Sequence, residues 1–273
     1  MTEDRRTASP RESASPHESA SPRESASPRD WDAATYDRVA GPMTRWGADV
    51  LDRAGLKGDE RVLDAGCGSG RVTERLLERW PGVRVVALDA SPSMVVAARS
   101  RLARFGPRVV FVVADLGAPL PLAEPVDAIV STATFHWVPD HDAVFRNLAA
   151  ALRPGGRLVA QFGGQGNVAS VLAVLAGVGD GWLGTAHFES VQATVARLEA
   201  AGFVDVRAWL KPEPTEFEPG EPFATYLRTV VLGAHLDRLP EADREAFVRT
   251  VAERLPGPRI DYVRLNVDAR LPA

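Results

Sequence analysis

From Arg61 onwards, short apolar runs alternate with amphipathic stretches. The segments "RVLDA", "VRVVALD", "RVVFVVAD", "VDAIVST" and "RLVAQFG" are continuous apolar runs, the pattern of strands covered on both faces. Between them, "RVTERLLERW" reads as a helix ended by Pro81-Gly82, and "SPSMVVAARSRLARFG" as a helix with Ser91 at its N-cap and Pro92 in its first turn. "DHDAVFRNLAAALRPGG" reads as a helix stopped by Pro154-Gly155-Gly156. Strand alternating with helix predicts right-handed βαβ units and a parallel sheet. Two short amphipathic helices precede the first strand, "WDAATYDRVAG" and "PMTRWGADVLDRAG". Gly41-Pro42 separates them, because a proline is welcome only in a helix's first turn.

The later half is less regular. "SVQATVARLEAAG" predicts a helix, and "FVDVRAWLK" a strand on an exposed edge. "EPFATYLRTVVLGAHL" and "EADREAFVRTVAERL" predict two helices, and "DYVRLNVDAR" closes the chain as an alternating strand. Alternation suggests an antiparallel edge, which makes the helical pair at 221–255 an insertion between neighbouring strands. The expected fold is α/β: a Rossmann-like parallel sheet with an antiparallel C-terminal edge strand, N-terminal capping helices and a helical insertion. Ligand sites in such sheets lie beyond the carboxyl ends of the strands, and inserted helices are placed to cover that edge.

Composition narrows the reading. Residues 1–30 repeat "ASPRES" and "ASPHES" with a period of six and contain no large apolar residue beyond the initiating position, so they predict a disordered tail. The remaining 31–273 read as one domain: capping helices at 31–56, a cofactor-binding core at 57–163, and an acceptor-side cap with the final strands at 164–273. An apolar content of 45% is enough for a sizeable core. The net charge of −4 carries no nucleic-acid footprint. A single cysteine, Cys67, rules out a disulfide framework and a cysteine zinc site, and fits a reducing cytoplasm. No stretch suggests a membrane span, and the other histidines, 17, 141, 187 and 235, lack ligand spacing, so no metal is expected.

The candidate chemistry centres on "VLDAGCGSG", residues 62–70. Gly66, Gly68 and Gly70 are spaced more tightly than a dinucleotide fingerprint, and Asp64 precedes them. An anion gains nothing from that acid, whereas an amino group gains a charge-assisted hydrogen bond. Asp89 ends the second strand, where a carboxylate accepts ribose hydroxyls. Asp115 ends the third, where an acid can accept from the exocyclic amine of adenine. Adenosine plus an amino-acid end and no phosphate describes S-adenosylmethionine (SAM).

"VLDAGCGSG", "ALDASPSMVVAAR", "FVVADL" and "LRPGGRL" resemble the motifs of class I SAM-dependent methyltransferases, over roughly 31–163. The resemblance implies that Gly66, Gly68 and Gly70 wrap the methionine part, that Asp89 binds ribose beside Ala90, and that Ser91 and Met94 pack near adenine. It further implies that Asp115 and Leu116 meet the adenine edge. "WDAATYDRVAGPMTRW" and "STATFHWVPDH" resemble the narrower trans-aconitate methyltransferase group, in which the leading helices cap the SAM pocket. There Tyr36 and Arg45 match residues that face the cofactor's carboxylate. The sequence departs from that group at Met43, where another Arg is usual, and at His136, where Gln is usual; a tricarboxylate acceptor needs several cations.

The expected function is methyl transfer from SAM to a small-molecule acceptor, a carboxylate or a hydroxyl. A carboxylate is already ionised, whereas a hydroxyl or carbon acid needs a base. His136, in the loop after the fourth strand, is the candidate base; a contact to cofactor or acceptor is the other role open to it. Trp137 is expected against adenine or the capping helices, and Cys67 as a small filler. Trp182, Phe188, Phe223 and Tyr226 are candidates for the acceptor pocket or for core, and Arg228 for an acidic acceptor or for solvent. A carrier-protein-bound or quinone-type acceptor, RNA, a NAD-dependent oxidoreductase and a non-catalytic SAM-binding protein are the competing readings.

Overall fold

The computed structural model describes residues 30–33, 35, 38 and 41–273. The repeats at 1–29, most of the first capping helix and Tyr36 lie outside the described residues. Residues 33, 35 and 38 are helical, and α1 follows at Gly41–Ala54. The strands and helices of the core then alternate as β1 (Arg61–Ala65), α2 (Arg71–Arg79), β2 (Arg84–Asp89), α3 (Pro92–Leu102), β3 (Val109–Val113), β4 (Val126–Thr132), α4 (His141–Ala151) and β5 (Leu152–Gly163). The acceptor-side half comprises α5 (Ala169–Leu175), α6 (Val191–Ala200), β6 (Val204–Pro212), β7 (Thr215–Glu216), α7 (Glu221–Tyr226), α8 (Gly233–Asp237), α9 (Glu241–Arg254), β8 (Arg259–Ile260) and β9 (Val263–Arg270).

The seven-stranded sheet has the order β3-β2-β1-β4-β5-β9-β6. The strands from β3 to β5 pair in parallel, and β9 runs antiparallel to both β5 and β6. The antiparallel strand is thus the expected C-terminal one, but it sits one place in from the rim; β6 is outermost. Its polar alternation reflects this position. Leu265, Val267 and Ala269 join one core, while Asn266 and Asp268 meet Arg53 of α1 instead of water. Alternate residues of β1 likewise divide between two cores: Leu63 and Ala65 pack towards α4, and Val62 packs towards α1, α2 and α3.

The helical insertion lies between β6 and β9 in the chain and forms a third core around Tyr226, Leu227, Val230, Val248 and Val251. Its first predicted helix is broken by a π-turn at Leu227–Val231, where Leu232 N–H donates to the Leu227 carbonyl at 2.8 Å. The β-branched run Thr229-Val230-Val231 followed by Gly233 weakens the regular α-helix there. Among the described residues, no helix is long and apolar enough to cross a membrane.

The strand order reverses between β1 and β4, so a crevice opens beyond their carboxyl ends. The loops after β1, β2, β3 and β4 all meet there.

Candidate active site

The β1–α2 turn carries the glycines. Gly66 and Gly70 have φ of 81° and 85°, a region closed to most side chains. A Cβ at Gly66 would stand 2.2 Å from the Thr134 side chain, so the β1 and β4 loops can touch only with glycine there. Gly70 caps α2, and its Cα lies so near α3 that a Cβ would press Ala98 and Leu102 at 3.1–3.3 Å. Gly68 is different. Its N–H donates to Asp89 Oδ2 at 2.8 Å, and a Cβ there would meet nothing within 4 Å.

Asp89 stands at the tip of β2. Its other oxygen accepts the Ser91 N–H at 2.9 Å. Both bonds favour the charged carboxylate, yet burial outweighs them and raises its pKa. Each oxygen keeps a further lone pair for a ligand hydroxyl. Ser91 caps α3 through Met94 N–H at 3.3 Å and donates to Asp30 Oδ1 at 2.5 Å. Asp115, at the tip of β3, is exposed and holds the Gly117 N–H at 2.8 Å.

Gly66, Gly68, Asp89, Ala90, Ser91, Met94, Asp115, Leu116, His136 and Trp137 all line a single cavity of about 570 Å³. The sequence-predicted residues are thereby brought to one place, with three exceptions in the described chain. Asp64 lines an adjoining recess of about 50 Å³ with Gly66, Gly68, Arg71 and Arg75. It is 1% exposed, accepts the Thr73 hydroxyl at 2.5 Å, and burial raises its pKa to about 6. Gly70 borders neither space and serves the fold. Arg45 is not at the cavity: it is exposed and bonds Glu213 at 3.3 Å. The helical phase explains the correction. Trp46, Val50, Leu51 and Ala54 form the inner face of α1, which turns Arg45 outwards.

Trp137 meets the ring of Trp31 edge-on at 5.4 Å, as expected of a contact with the N-terminal cap. Trp182 and Phe188 line the cavity, whereas Phe223 and Tyr226 belong to the insertion's core. Arg228 bonds Glu245 at 2.7 Å, away from the cavity. Cys67 packs in the core beside β1, α1 and α2, and burial, with Asp64 and Asp89 alongside, holds its thiol well above the ordinary range, which disfavours the thiolate.

His136 is 6% exposed, and its Nδ1 accepts the Gly163 N–H at 3.3 Å. Burial, then the Arg264 cation and His141, push its pKa well below the ordinary value. It is therefore a neutral imidazole with Nδ1 committed as acceptor, which places the ring proton on Nε2. That tautomer donates a hydrogen bond; it does not remove a proton at Nε2. The geometry thus weighs against the general-base role and for the contact role.

Several cavity residues had no motif to mark them. Arg264 of β9 is 1% exposed, donates to Gln161 Oε1 at 3.1 Å, and lies over the Trp46 ring at 4.1 Å. Ala133 and Val168 have φ of 58° and 50°, and both line the cavity. A β-branched residue in the left-handed region is a genuine outlier, of the sort that gathers at ligand sites.

A parallel sheet reversed between β1 and β4, with a glycine turn after β1 and acids at the tips of β2 and β3, is the architecture of the class I methyltransferases. A family model described as a methyltransferase domain matches residues 62–156. The chain belongs to the trans-aconitate 2-methyltransferase family: it is 30% identical over 252 residues to the Methylobacterium radiotolerans protein of that name, covering 86% of this chain and 94% of that one. It is 42% identical over 132 residues to the Methylobacterium nodulans protein of the same name, covering 48% of this chain and 49% of that one. In that match, as in the one to the Azoarcus protein at 43% identity, the chain spans about half the length of its curated relative.

The fold is shared with the YcgJ protein of Bacillus subtilis, with a TM-score of 0.63 at 17% identity, covering 84% of this chain and 99% of that one. It is shared also with Haemonchus contortus phosphoethanolamine N-methyltransferase 2, solved with phosphomonomethylethanolamine and S-adenosylhomocysteine. That TM-score is 0.58 at 18% identity, covering 88% of this chain and 56% of that one.

Proposed function

We propose that the protein transfers a methyl group from SAM to a carboxylate oxygen of a small molecule. The observation that carries this reading is the convergence of Gly68, Asp89, Asp115 and His136 on one cavity at the switch point of the sheet. The residues present fit the cofactor. Asp89 has acceptor capacity for two ribose hydroxyls, and the missing Cβ of Gly68 leaves its side of the cavity open. Asp64, Arg71 and Arg75 line the adjoining recess with charges of both signs, as a zwitterionic amino-acid end requires. Arg71 and Arg75 take the place that the sequence resemblance gave to Arg45. Relatives named trans-aconitate 2-methyltransferase support a carboxylate acceptor.

When bound, SAM supplies a methyl group already activated on a sulfonium. The protein's own contribution is then to bind, orient and exclude water, which are effective sources of rate. Trp31, Trp137, Trp182 and Phe188 line the cavity with aromatic surface, Trp31 and Trp137 meeting edge-on and His136 lying between the rings of Trp137 and Phe188. A carboxylate needs no proton removed, in keeping with an imidazole that donates from Nε2. Residues 57–163 thus form the cofactor half and 164–273 the acceptor half.

Isothermal titration of the full-length protein with S-adenosylhomocysteine (SAH) tests the cofactor assignment. Saturable binding to one site is expected; no heat at protein and ligand concentrations of about 100 μM would refute it, since cofactor sites bind far more tightly than millimolar.

A further inference from the structure

We propose that His136 and Asn167 form a clamp of two neutral hydrogen-bond donors, Nε2–H and Nδ2–H, that holds the carboxylate of the acceptor. This rests on the methyltransferase reading above and names the residues that select the acceptor at that same site.

His136 and Asn167 are 6% and 3% exposed, and both line the cavity. A backbone N–H fixes each of them. Gly163 N–H donates to His136 Nδ1 at 3.3 Å, and Val263 N–H donates to Asn167 Oδ1 at 2.9 Å. Only an atom with a lone pair accepts an N–H. His136 therefore carries its ring proton on Nε2, and Asn167 turns its NH2 group away from Val263. Among the described residues, no protein group bonds His136 Nε2 or Asn167 Nδ2. Trp46 Nε1 is unpartnered too, but it is sealed in the core, whereas these two give onto the cavity. Buried donors are hydrogen-bonded as a rule, so the occupant of the cavity is the partner they lack.

Gly163 brings the pair together. Its N–H holds the imidazole, and the space of its missing Cβ belongs to the amide: a Cβ there would stand 2.9 Å from Asn167 Nδ2 and 2.8 Å from the Phe188 ring. Phe188 in turn stacks on His136, with ring centroids 5.9 Å apart. The chain reaches Asn167 by a tight turn, in which Asn167 N–H donates to the Gly164 carbonyl at 2.9 Å, and leaves it through Val168 at φ 50°. Asp261 holds that exit: its carbonyl accepts the Val168 N–H at 3.1 Å, and its Oδ2 accepts the Ser170 N–H at 2.9 Å. A β-branched residue in the left-handed region is strained, and here the strain keeps Asn167 beside Gly163.

Two donors and no acceptor suit a group that offers only lone pairs. A carboxylate is such a group, whereas a hydroxyl or a primary amide brings hydrogens of its own that find no partner at the clamp. Bonds to a charged oxygen are also the stronger ones. The neutrality of the pair suits the reaction. The carboxylate oxygen forms a bond to the methyl carbon as the carbon–sulfur bond of the sulfonium breaks, and that electron pair stays on sulfur. The products are a methyl ester and SAH, no proton is released, and the acceptor loses its charge. An ion pair to that charge is strongest before transfer and opposes it. Neutral donors orient the oxygen at a smaller penalty of this kind.

The test uses the full-length protein saturated with SAH, titrated calorimetrically with straight-chain C6 to C12 acids, benzoate, phenylacetate and trans-aconitate. Each acid is paired with its primary amide, trans-aconitate with the triamide. At least one acid is expected to bind about tenfold or more tightly than its amide. N167D keeps an oxygen for the Val263 N–H and turns a second oxygen towards the ligand. It should weaken that acid about 30-fold or more and reverse the preference, so that the amide binds better than the acid. A merely structural asparagine would not reverse it. H136F keeps the aromatic surface and removes the ring donor, and should weaken the same acid about tenfold or more; N167D serves if H136F does not fold. SAH affinity should stay within about threefold in both variants, and a larger fall would place the pair on the cofactor and overturn the clamp. Failure of SAH to bind the wild type overturns the cofactor reading. With SAH bound, no binding by any acid, equal binding of acid and amide, or an unreversed preference in N167D overturns the clamp alone.

Discussion

At the scale of single residues, Asp89 has two tasks in one carboxylate. It ties the glycine turn to the start of α3 through Gly68 and Ser91, and it presents acceptor capacity to the cavity. Asp89→Ala removes both. Loss of two charge-assisted bonds to a ligand, each worth about 1.5–3 kcal/mol, predicts at least a 100-fold loss of SAH affinity, measurable by titration calorimetry. Asp89→Asn retains acceptor capacity on one oxygen and should lose less. Affinity within threefold of wild type for Asp89→Ala would place the ribose elsewhere. His136 shows how a neighbour's backbone decides a side chain's chemistry. The Gly163 N–H makes it a donor, and no reading of "FHW" alone contains that information.

At the scale of elements, the parts that could be read are those whose chemistry is local. A glycine turn, Asp89 and Asp115 sit at strand ends, and strand ends of a parallel sheet meet by construction. Arg264 was not legible, because its burial depends on β9 slipping between β5 and β6 with α1 laid across it. The outward turn of Arg45 is legible in principle, because the apolar phase of Trp46, Val50 and Ala54 is in the sequence. Trp46 joins these elements. It fastens α1 to β9 by an edge-on contact with Tyr262 at 5.0 Å and by the Arg264 stack. Trp46→Ala should therefore destabilise the fold by about 3–5 kcal/mol, the usual range for a buried aromatic. Its Nε1–H is buried without a hydrogen-bond partner, so Trp46→Phe drops an unpaired donor and should cost less than about 1.5 kcal/mol. Urea unfolding checks both, and a Trp46→Ala protein within 1 kcal/mol of wild type would show that α1 is held by other contacts.

At the scale of the molecule, the cofactor half keeps buried charge at the expense of stability. Asp64 is held up to about 6 chiefly by burial, from an ordinary value of 3.8. The folded protein therefore binds this proton more tightly than the unfolded chain does. Between about pH 4 and 6, stability falls as pH rises, then stays level. At about 1.4 kcal/mol per pKa unit, the change is on the order of 3 kcal/mol. His136 acts with the opposite sign. Its folded pKa lies well below the ordinary value of 6.5, so stability is lost as pH falls below about 6.5, where the unfolded chain takes up a proton that the native imidazole refuses. The two slopes overlap, and the wild-type profile alone separates neither. The difference between Asp64→Asn and wild type does, because His136 is common to both. That difference should shift in favour of the variant by on the order of 2–3 kcal/mol from pH 4 to pH 7, whatever constant offset the buried amide introduces. Denaturant unfolding at four pH values measures it, and a difference independent of pH would mean that Asp64 ionises in the fold as it does in water. The same carboxylate gives the stored energy a use. A ligand ammonium favours ionised Asp64, so SAH should bind more weakly as pH falls below about 6 in wild type, and Asp64→Asn should bind it weakly at every pH.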